Sequence, residues 1–238
     1  MTFIYIPQGK AYEYARLALN HYRGCRGGCV YCFGPDALHM TREEFARPAP
    51  RKGVLEGLRR ELPKLRGNQD QVLMSFVADP YQPLEAELEL TRQIISMMLE
   101  NDVAFTILTK FGELAQRDFD LLRRARCSFG VTLTVDNERD RTIWEPHTGS
   151  VFHRKEALFR AHQAGIPTWV SLEPVIDPVA TLKHIEECRE FVDHWKVGKI
   201  NYHPRENEID WSKFKAEVLE LLQKHNLSYY IKNSLKPY

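Results

Sequence analysis

The sequence lacks an apolar run of the roughly 18 residues that a membrane span needs, and its first residues lack a basic segment followed by a long apolar stretch. It has almost no net charge, because 33 Lys and Arg residues face 32 Asp and Glu residues. Internal repeats and low-complexity tracts are missing too. These absences exclude membrane-spanning, collagen-like and disordered proteins. We therefore expect a cytoplasmic globular protein with no membrane partner, and its oligomeric state is left open.

Cysteines are few and unevenly placed. Five are present, an odd number, and a chain of 238 residues is too long to be a disulfide scaffold. Three of them, Cys25, Cys29 and Cys32, fall within eight residues. Cys127 and Cys188 stand alone, and a lone cysteine is most often a small buried hydrophobic residue. The cluster of three is therefore the feature that needs a chemical explanation.

Short β-branched or aromatic runs recur along the chain, and helical patterns lie between them. The runs cover residues 17–22, 72–77, 103–109, 128–135, 168–172 and 196–202. One helical pattern follows Pro83 with an apolar stripe of Leu84, Leu88, Ile95 and Met98, another ends at Gly165, and a third begins near Trp211. Alternating strands and helices predict a mainly parallel sheet.

Six βα units are two short of a complete (β/α)8 barrel. We therefore predict an α/β fold, a partial (β/α)6 TIM-type barrel, in a single domain over residues 1–238. Its core is expected to cover about 17–204, followed by a C-terminal helix and tail over 205–238. In such a fold the reactive groups gather at the carboxyl ends of the strands. Polar residues expected there are Asp79, Lys110, Asp136, Glu173, Asp177, Asn201 and His203.

Basic residues are concentrated between residues 42 and 66. This basic sector consists of Arg42, Arg47, Arg51, Lys52, Arg59, Arg60, Lys64 and Arg66, and it contains four glutamates as well. Such a run is typical either of a phosphate-contacting surface or of an ordinary solvated face. Charge alone leaves both interpretations open, so nucleic acid is a candidate partner through this sector.

The three clustered cysteines have the spacing Cys-x-x-x-Cys-x-x-Cys in a glycine-rich loop, which lets three thiolates converge on one inorganic centre. A disulfide would leave one thiol over. A structural zinc site would need a fourth ligand, for which His21 and His39 are nearby, and usually a second cysteine pair that this sequence lacks. A zinc-stabilised nucleic-acid-binding module is the alternative. Three ligands on a four-iron cluster would leave one iron open to an exogenous ligand.

With Tyr31 before the last cysteine, the loop resembles the signature of the radical S-adenosylmethionine (SAM) superfamily. Further segments resemble its spore photoproduct lyase-like branch, also called DNA repair photolyase-like, so that the likeness covers residues 7–204. These segments are Pro7 to Tyr14, Ala18 to Cys25, Asp79 to Glu85, Leu90 to Arg92, Ile107 to Lys110, Val131 to Thr134, Glu145-Pro146, Ala164 to Pro167 and Glu173-Pro174.

The resemblance implies a radical SAM enzyme of lyase or oxidoreductase type. It implies one [4Fe-4S] cluster on Cys25, Cys29 and Cys32, with SAM bound to the open iron. Reductive cleavage of SAM would yield a 5′-deoxyadenosyl radical that abstracts hydrogen from a nucleic-acid or nucleotide substrate. The electron would come from a donor such as flavodoxin or ferredoxin.

The same resemblance implies which residues contact SAM. Lys110 would pair with its carboxylate, and Tyr31 would lie beside its adenine. The full set of expected cofactor-binding residues is Tyr31, Ser75, Val77, Asp79, Lys110, Thr132, Thr134 and Arg154.

The sequence departs from the lyase branch at one position. That branch returns a hydrogen atom from a cysteine near the end of its second strand, where this chain has Phe76, Val77 and Ala78. Lesion repair of that kind is therefore disfavoured, and Tyr81 is the candidate hydrogen donor, with Tyr202 or an external reductant as alternatives. A second cysteine cluster is also missing, which disfavours multi-cluster chemistry.

Overall fold

The computed structural model describes residues 2–238, and its main element is an eight-stranded sheet. The ten strands of these residues are β1 (Ile4–Tyr5), β2 (Leu17–Leu19), β3 (Tyr22–Arg23), β4 (Ala49–Pro50), β5 (Val72–Met74), β6 (Phe105–Thr109), β7 (Cys127–Thr132), β8 (Thr168–Val175), β9 (His194–Lys199) and β10 (Tyr229–Ile231). The main sheet has the order β1-β2-β5-β6-β7-β8-β9-β10, while β3 and β4 form a separate antiparallel pair.

Seven strands of the main sheet, β2 and β5 to β10, pair in parallel, and β1 pairs antiparallel with β2 at the edge. This arrangement confirms the predicted partial barrel, with a strand in each of the six predicted runs. The strand β10 was not predicted: it adds a seventh parallel strand from the segment expected to be a tail. The C-terminal residues are therefore part of the sheet.

Helices connect the parallel strands and cover the sheet. They are α1 (Gly34–Ala37), α2 (Arg42–Phe45), α3 (Val54–Glu61), α4 (Glu85–Leu88), α5 (Leu90–Glu100), α6 (Gly112–Ala115), α7 (Phe119–Leu122), α8 (Glu138–Trp144), α9 (Val151–Gln163), α10 (Pro178–Cys188) and α11 (Trp211–Lys224). Their buried apolar residues pack on the strands in one large core. Within residues 2–238, no helix combines the length and the apolar character required to cross a bilayer.

The helix predicted after Pro83 is divided in two. Glu89 has a φ of 47° and separates α4 from α5, so the predicted continuous stripe is wrong and Leu88 is 37% exposed. The break has a local cause: the carboxylate of the buried Glu85 accepts the Thr91 N–H at 3.0 Å, which satisfies a free donor in the first turn of α5. The Arg117 guanidinium, 2.8 Å away, compensates the buried charge.

Two predicted strands are shorter than their apolar runs because of Asn20. The strand β2 ends at Leu19, and the Asn20 side-chain oxygen then accepts the Phe76 and Val77 N–H groups at 2.8 and 2.9 Å. These donors belong to the segment after β5, which therefore leaves the sheet at Met74. Asn20 thus fixes the backbone at the carboxyl end of β5, where the polar residues gather.

A buried histidine makes stability depend on pH. The His184 Nε2 lies 2.9 Å from the Val135 carbonyl oxygen and donates to it, and burial lowers the pKa of this imidazole to about 3. Unfolding restores an ordinary pKa near 6.5, so the unfolded chain takes up a proton below that pH. We expect this residue alone to reduce the free energy of unfolding by about 1.4 kcal/mol per pH unit as the pH falls from 6.5 to 3.

Urea unfolding at several pH values measures this slope. His184→Gln should lower the slope by about 1.4 kcal/mol per pH unit, whereas Gln163→Ala, at an exposed position on α9 without a titratable side chain, should leave it unchanged. Equal slopes for His184→Gln and the unsubstituted chain would contradict the assignment.

Candidate active site

A cavity of about 650 Å³ opens at the carboxyl ends of the parallel strands, where this fold class places its reactive groups. Its size is typical of a cofactor or small-molecule site. The walls come from the cysteine loop, from the segments after β5, β6, β8 and β9, and from Lys232 just after β10. Of the seven polar strand-end residues, Asp136 and Asp177 lie elsewhere: Asp136 pairs with Lys183, and Asp177 caps α10.

Backbone contacts hold the cysteine loop at its start and in its middle. Gly24 has a φ of 83°, and a Cβ there would lie 2.6 Å from the Phe45 carbonyl oxygen, so only glycine fits. The next residue, Cys25, donates its N–H to that same oxygen at 2.8 Å. Further along the loop, the Arg42 guanidinium donates to the carbonyl oxygens of Cys29 and Val30. Arg42 of the basic sector thus supports the loop.

All three thiols line the cavity and have the surroundings of iron–sulfur ligands. A Cβ added to Gly27 would lie 3.6 Å from Cys25 Sγ and 3.8 Å from Cys29 Sγ, so a side chain there would enter the space that the sulfurs face. Backbone N–H groups donate to sulfur at 3.4 Å, from Gly27 to Cys25, and at 3.3 Å, from Gly34 to Cys32. Hydrogen bonds to the ligand sulfurs tune the reduction potential of iron–sulfur clusters. The residues fit an iron–sulfur cluster.

Burial raises the pKa of the Cys25 and Cys29 thiols to about 12, so a bound cation is needed to stabilise their thiolates at neutral pH. The zinc alternative would need a fourth ligand beside the three cysteines. His21, a candidate fourth ligand, is buried and hydrogen-bonds through Nε2 to Thr91 Oγ1.

Three expected cofactor contacts line the cavity at the end of β5: Ser75, Val77 and Asp79. The Asp79 carboxylate accepts the Thr109 hydroxyl at 2.6 Å and the Lys110 N–H at 2.7 Å, and burial raises its pKa. It therefore joins the ends of β5 and β6. The Ser75 hydroxyl donates to Asn20, which lies in a segment that carried the family resemblance but had no predicted role.

Lys110 and Tyr31 lie next to each other in the cavity wall. The Lys110 Nζ lies 5.6 Å from the centre of the Tyr31 ring and, within residues 2–238, has no carboxylate within 4 Å. Burial by itself would lower the Lys110 pKa, but Cys29 and Glu145 nearby outweigh that effect, and the net shift is upward. Lys110 is therefore a cation that a bound anionic group can reach.

Behind this wall lies a buried ion pair that the sequence did not reveal. Glu145 and Arg154 are both fully buried, with 2.6 Å between Glu145 Oε2 and Arg154 Nη1. Tyr31 donates its hydroxyl to Glu145, and Thr134 does so at 2.9 Å. Burial opposes the charge on Glu145, yet Arg154 and Lys110 hold its pKa below the usual value.

The structure therefore corrects the positions of two predicted cofactor contacts. Thr134 and Arg154 are buried outside the cavity lining, and both contact Glu145. Thr132, which was expected to share a face with Thr134, does line the cavity.

Tyr81, the expected hydrogen donor, does not reach the cavity. Its N–H donates to Asp79, and the resulting turn directs the side chain into the core, where it is fully buried and outside the cavity lining. Cys127 and Cys188 are likewise buried and outside it. The tyrosines that line the cavity are Tyr14, Tyr31 and Tyr202.

A second polar centre lies on the opposite side of the cavity. The Lys232 Nζ is 2.5 Å from Glu173 Oε2, and Tyr14 donates its hydroxyl to the same carboxylate while bonding Ser171 Oγ at 2.8 Å. Burial is the main cause of the raised Tyr14 pKa. Tyr14 and Glu173 occur in segments that carried the family resemblance, whereas no pattern singled out Lys232.

A model of the radical SAM superfamily matches residues 19–192, which include the three cysteines and most of the cavity. The chain belongs to the radical SAM superfamily. It is a radical SAM enzyme, and membership implies SAM and an iron–sulfur cluster. The prediction from the cysteine loop is thereby confirmed at the level of the superfamily, and the zinc alternative finds no support.

Relatives of this chain include an uncharacterized protein of Methanocaldococcus jannaschii, 29% identical over 191 residues, which make up 79% of this chain and 71% of that protein. An uncharacterized protein of Mycobacterium tuberculosis is 28% identical over 181 residues, 72% of this chain and 52% of that protein. This chain thus spans about half the length of the mycobacterial relative.

Solved radical SAM structures share the fold. Spore photoproduct lyase complexed with dinucleoside spore photoproduct matches with a TM-score of 0.69 and 12% identity, covering 95% of this chain and 78% of that one. SuiB of Streptococcus suis bound to S-adenosylmethionine matches with a TM-score of 0.65 and 11% identity, covering 91% of this chain and 50% of that one. The predicted likeness to spore photoproduct lyase is confirmed in the fold.

Proposed function

We propose that this radical SAM enzyme uses a single [4Fe-4S] cluster held by Cys25, Cys29 and Cys32. The observation that carries the proposal is the presence of all three thiols, with amide donors to two of them, on the wall of one cavity that also contains Lys110. Three cysteines leave a coordination position for an exogenous ligand. The chain acts as a single radical SAM domain, to which the strand β10 contributes.

When bound together, the cluster and SAM supply reductive cleavage of SAM to a 5′-deoxyadenosyl radical, with the electron provided by a flavodoxin or a ferredoxin. The chain's own residues position and shield the reacting groups. Lys110 pairs with the SAM carboxylate, and Tyr31, held by Glu145, forms a fixed wall beside the adenine. The space near the SAM amine is lined by Ser75, Val77 and Asp79, and Thr132 contributes a hydroxyl from β7.

The substrate in this proposal is a nucleic acid or a nucleotide, from which hydrogen is abstracted. The solved neighbour that binds a dinucleoside lesion and the basic sector support this class. The proposal departs from thiol-dependent lesion repair, because Phe76, Val77 and Ala78 offer no cysteine near the end of β5. The polar centre of Tyr14, Glu173 and Lys232 faces the remaining part of the cavity and is available to a substrate.

Anaerobic reconstitution with iron and sulfide tests the cofactor assignment. We expect a brown protein with about four irons per chain, an electron paramagnetic resonance signal after reduction, and 5′-deoxyadenosine when SAM and a reductant are supplied. A colourless protein that purifies with zinc and never cleaves SAM would refute the proposal and support the alternative, a zinc-stabilised nucleic-acid-binding module. Lys110→Met should retain the iron and weaken SAM binding, which separates the two roles.

The basic sector gives a separate prediction about nucleic acid. Arg59 and Arg60 are exposed on α3 and, within residues 2–238, have no carboxylate within 4 Å. Reversing both charges, Arg59→Glu with Arg60→Glu, should weaken oligonucleotide binding and lower its salt slope by about two units. Fluorescence anisotropy over a salt series measures both quantities. An unchanged slope would show that these arginines form an ordinary solvated surface and do not contact phosphates.

A further inference from the structure

One aromatic side chain at the cavity mouth is almost completely exposed. Tyr202 follows β9, lines the cavity and has 92% of its surface open to solvent. Phe33 and Tyr14, which also line the cavity, pack on the rings of Phe76 and Trp169. Single exposed apolar residues are common on protein surfaces, so exposure alone does not indicate a role. The contacts that hold Tyr202 in place do indicate a role.

The backbone presents Tyr202 to the cavity mouth at a conformational cost. Its φ is 61°, which a bulky side chain rarely adopts. The conformation is held by Glu206, whose Oε2 accepts the Tyr202 N–H at 3.0 Å and whose Oε1 lies 2.6 Å from the Lys199 Nζ. Lys199 is the last residue of β9 and is buried. The exposed ring is therefore tied to the sheet through two polar contacts.

A cation from a different segment lies against this ring. The Lys10 Nζ is 4.7 Å from the centre of the Tyr202 ring, and Lys10 itself is exposed in the one-turn helix Gly9–Ala11. Within the described chain, this ammonium has no carboxylate within 4 Å. The contact covers little of Tyr202, so the opposite face of the ring is open. An open aromatic face beside a free cation matches a nucleobase joined to a phosphate.

We infer that Tyr202 and Lys10 form a nucleotide-recognition rim at the mouth of the cavity, where a base stacks on the Tyr202 ring and its phosphate contacts Lys10. The inference rests on the proposed nucleic-acid or nucleotide substrate and assigns residues to its recognition. The rim lies at the entrance to the cavity that contains Lys110 and the cysteines, so a nucleotide bound there extends toward the proposed SAM site.

The experiment compares two fluorescein-labelled strands of about ten units, an oligothymidylate and an abasic sugar-phosphate strand of equal charge. The reconstituted 238-residue chain is titrated with each strand, and anisotropy gives the Kd. Tyr202→Ala should weaken oligothymidylate binding by about 5- to 150-fold and leave abasic binding unchanged. Lys10→Gln should weaken both and lower the salt slope by about one unit. Phe152→Ala, at a 68% exposed aromatic on α9, is the matched control.

Two results separate this inference from the proposed function on which it rests, and a competition measurement then identifies the occupant. If Tyr202→Ala weakens the affinity for both strands equally, or for neither, the stacking role is overturned while nucleic-acid binding stands. Failure of the unsubstituted protein to bind either strand overturns the nucleic-acid substrate itself, although SAM cleavage would be unaffected. Displacement by free thymidine monophosphate that is weakened in Tyr202→Ala supports the rim with a mononucleotide as its occupant. Displacement by unlabelled strand but not by the mononucleotide, weakened in the same variant, supports the rim with a longer chain as its occupant.

Discussion

Cys29→Ala should abolish iron–sulfur incorporation and SAM cleavage while leaving the parallel sheet folded. The thiol lines the cavity, whereas the backbone of Cys29 is held independently by Arg42 and by the N–H of Cys32, which donates to the Cys29 carbonyl at 3.1 Å. The loop lies outside the main sheet. Losing one of three ligands removes the site's metal affinity without removing apolar core contacts.

Iron content, electron paramagnetic resonance and 5′-deoxyadenosine formation measure the first half of this expectation, and urea unfolding of the metal-free proteins measures the second. The matched control is Cys188→Ala, because Cys188 is fully buried in the core and outside the cavity. That control should lose stability and keep its iron. A Cys29→Ala protein that retained four irons, or one that failed to fold even without metal, would contradict the assignment of Cys29 as a cluster ligand.

Local patterns in the sequence predicted the features that depend on neighbouring residues. The cysteine spacing, the glycine at Gly24 and the alternation of strands and helices are short-range properties, and they gave the superfamily, the partial barrel and most of the cavity wall. Lys110 and Asp79 were located because each follows a recognisable strand. The carboxyl ends of parallel strands necessarily meet at one edge of the sheet.

Features that depend on distant residues could not be predicted in this way. Glu145 follows α8 but bonds Tyr31 in the cysteine loop, and Lys232 is 59 residues beyond its partner Glu173. The positions of such pairs are decided by tertiary packing. Tyr81 illustrates the opposite error: its sequence position beside Asp79 was favourable, yet the turn made by its own N–H directs the ring into the core.

The buried pair of Glu145 and Arg154 gives the second large expected effect. Both side chains have no exposed surface, so Arg154→Met leaves the Glu145 carboxylate buried without its cation. Removing one partner of a buried pair costs about 3–5 kcal/mol of unfolding free energy. Arg154 also donates to the carbonyl oxygens of Thr132 and Gly149, and these acceptors lose their partners as well. Urea unfolding of the metal-free protein measures the loss.

Two further variants separate electrostatic from packing effects. Arg189→Met breaks an exposed pair with Glu186 and should change stability by less than about 1 kcal/mol. The double variant Glu145→Gln with Arg154→Met removes both charges, so it should be more stable than Arg154→Met alone. If the double variant were the less stable, the unpaired charge would not be the cause of the loss.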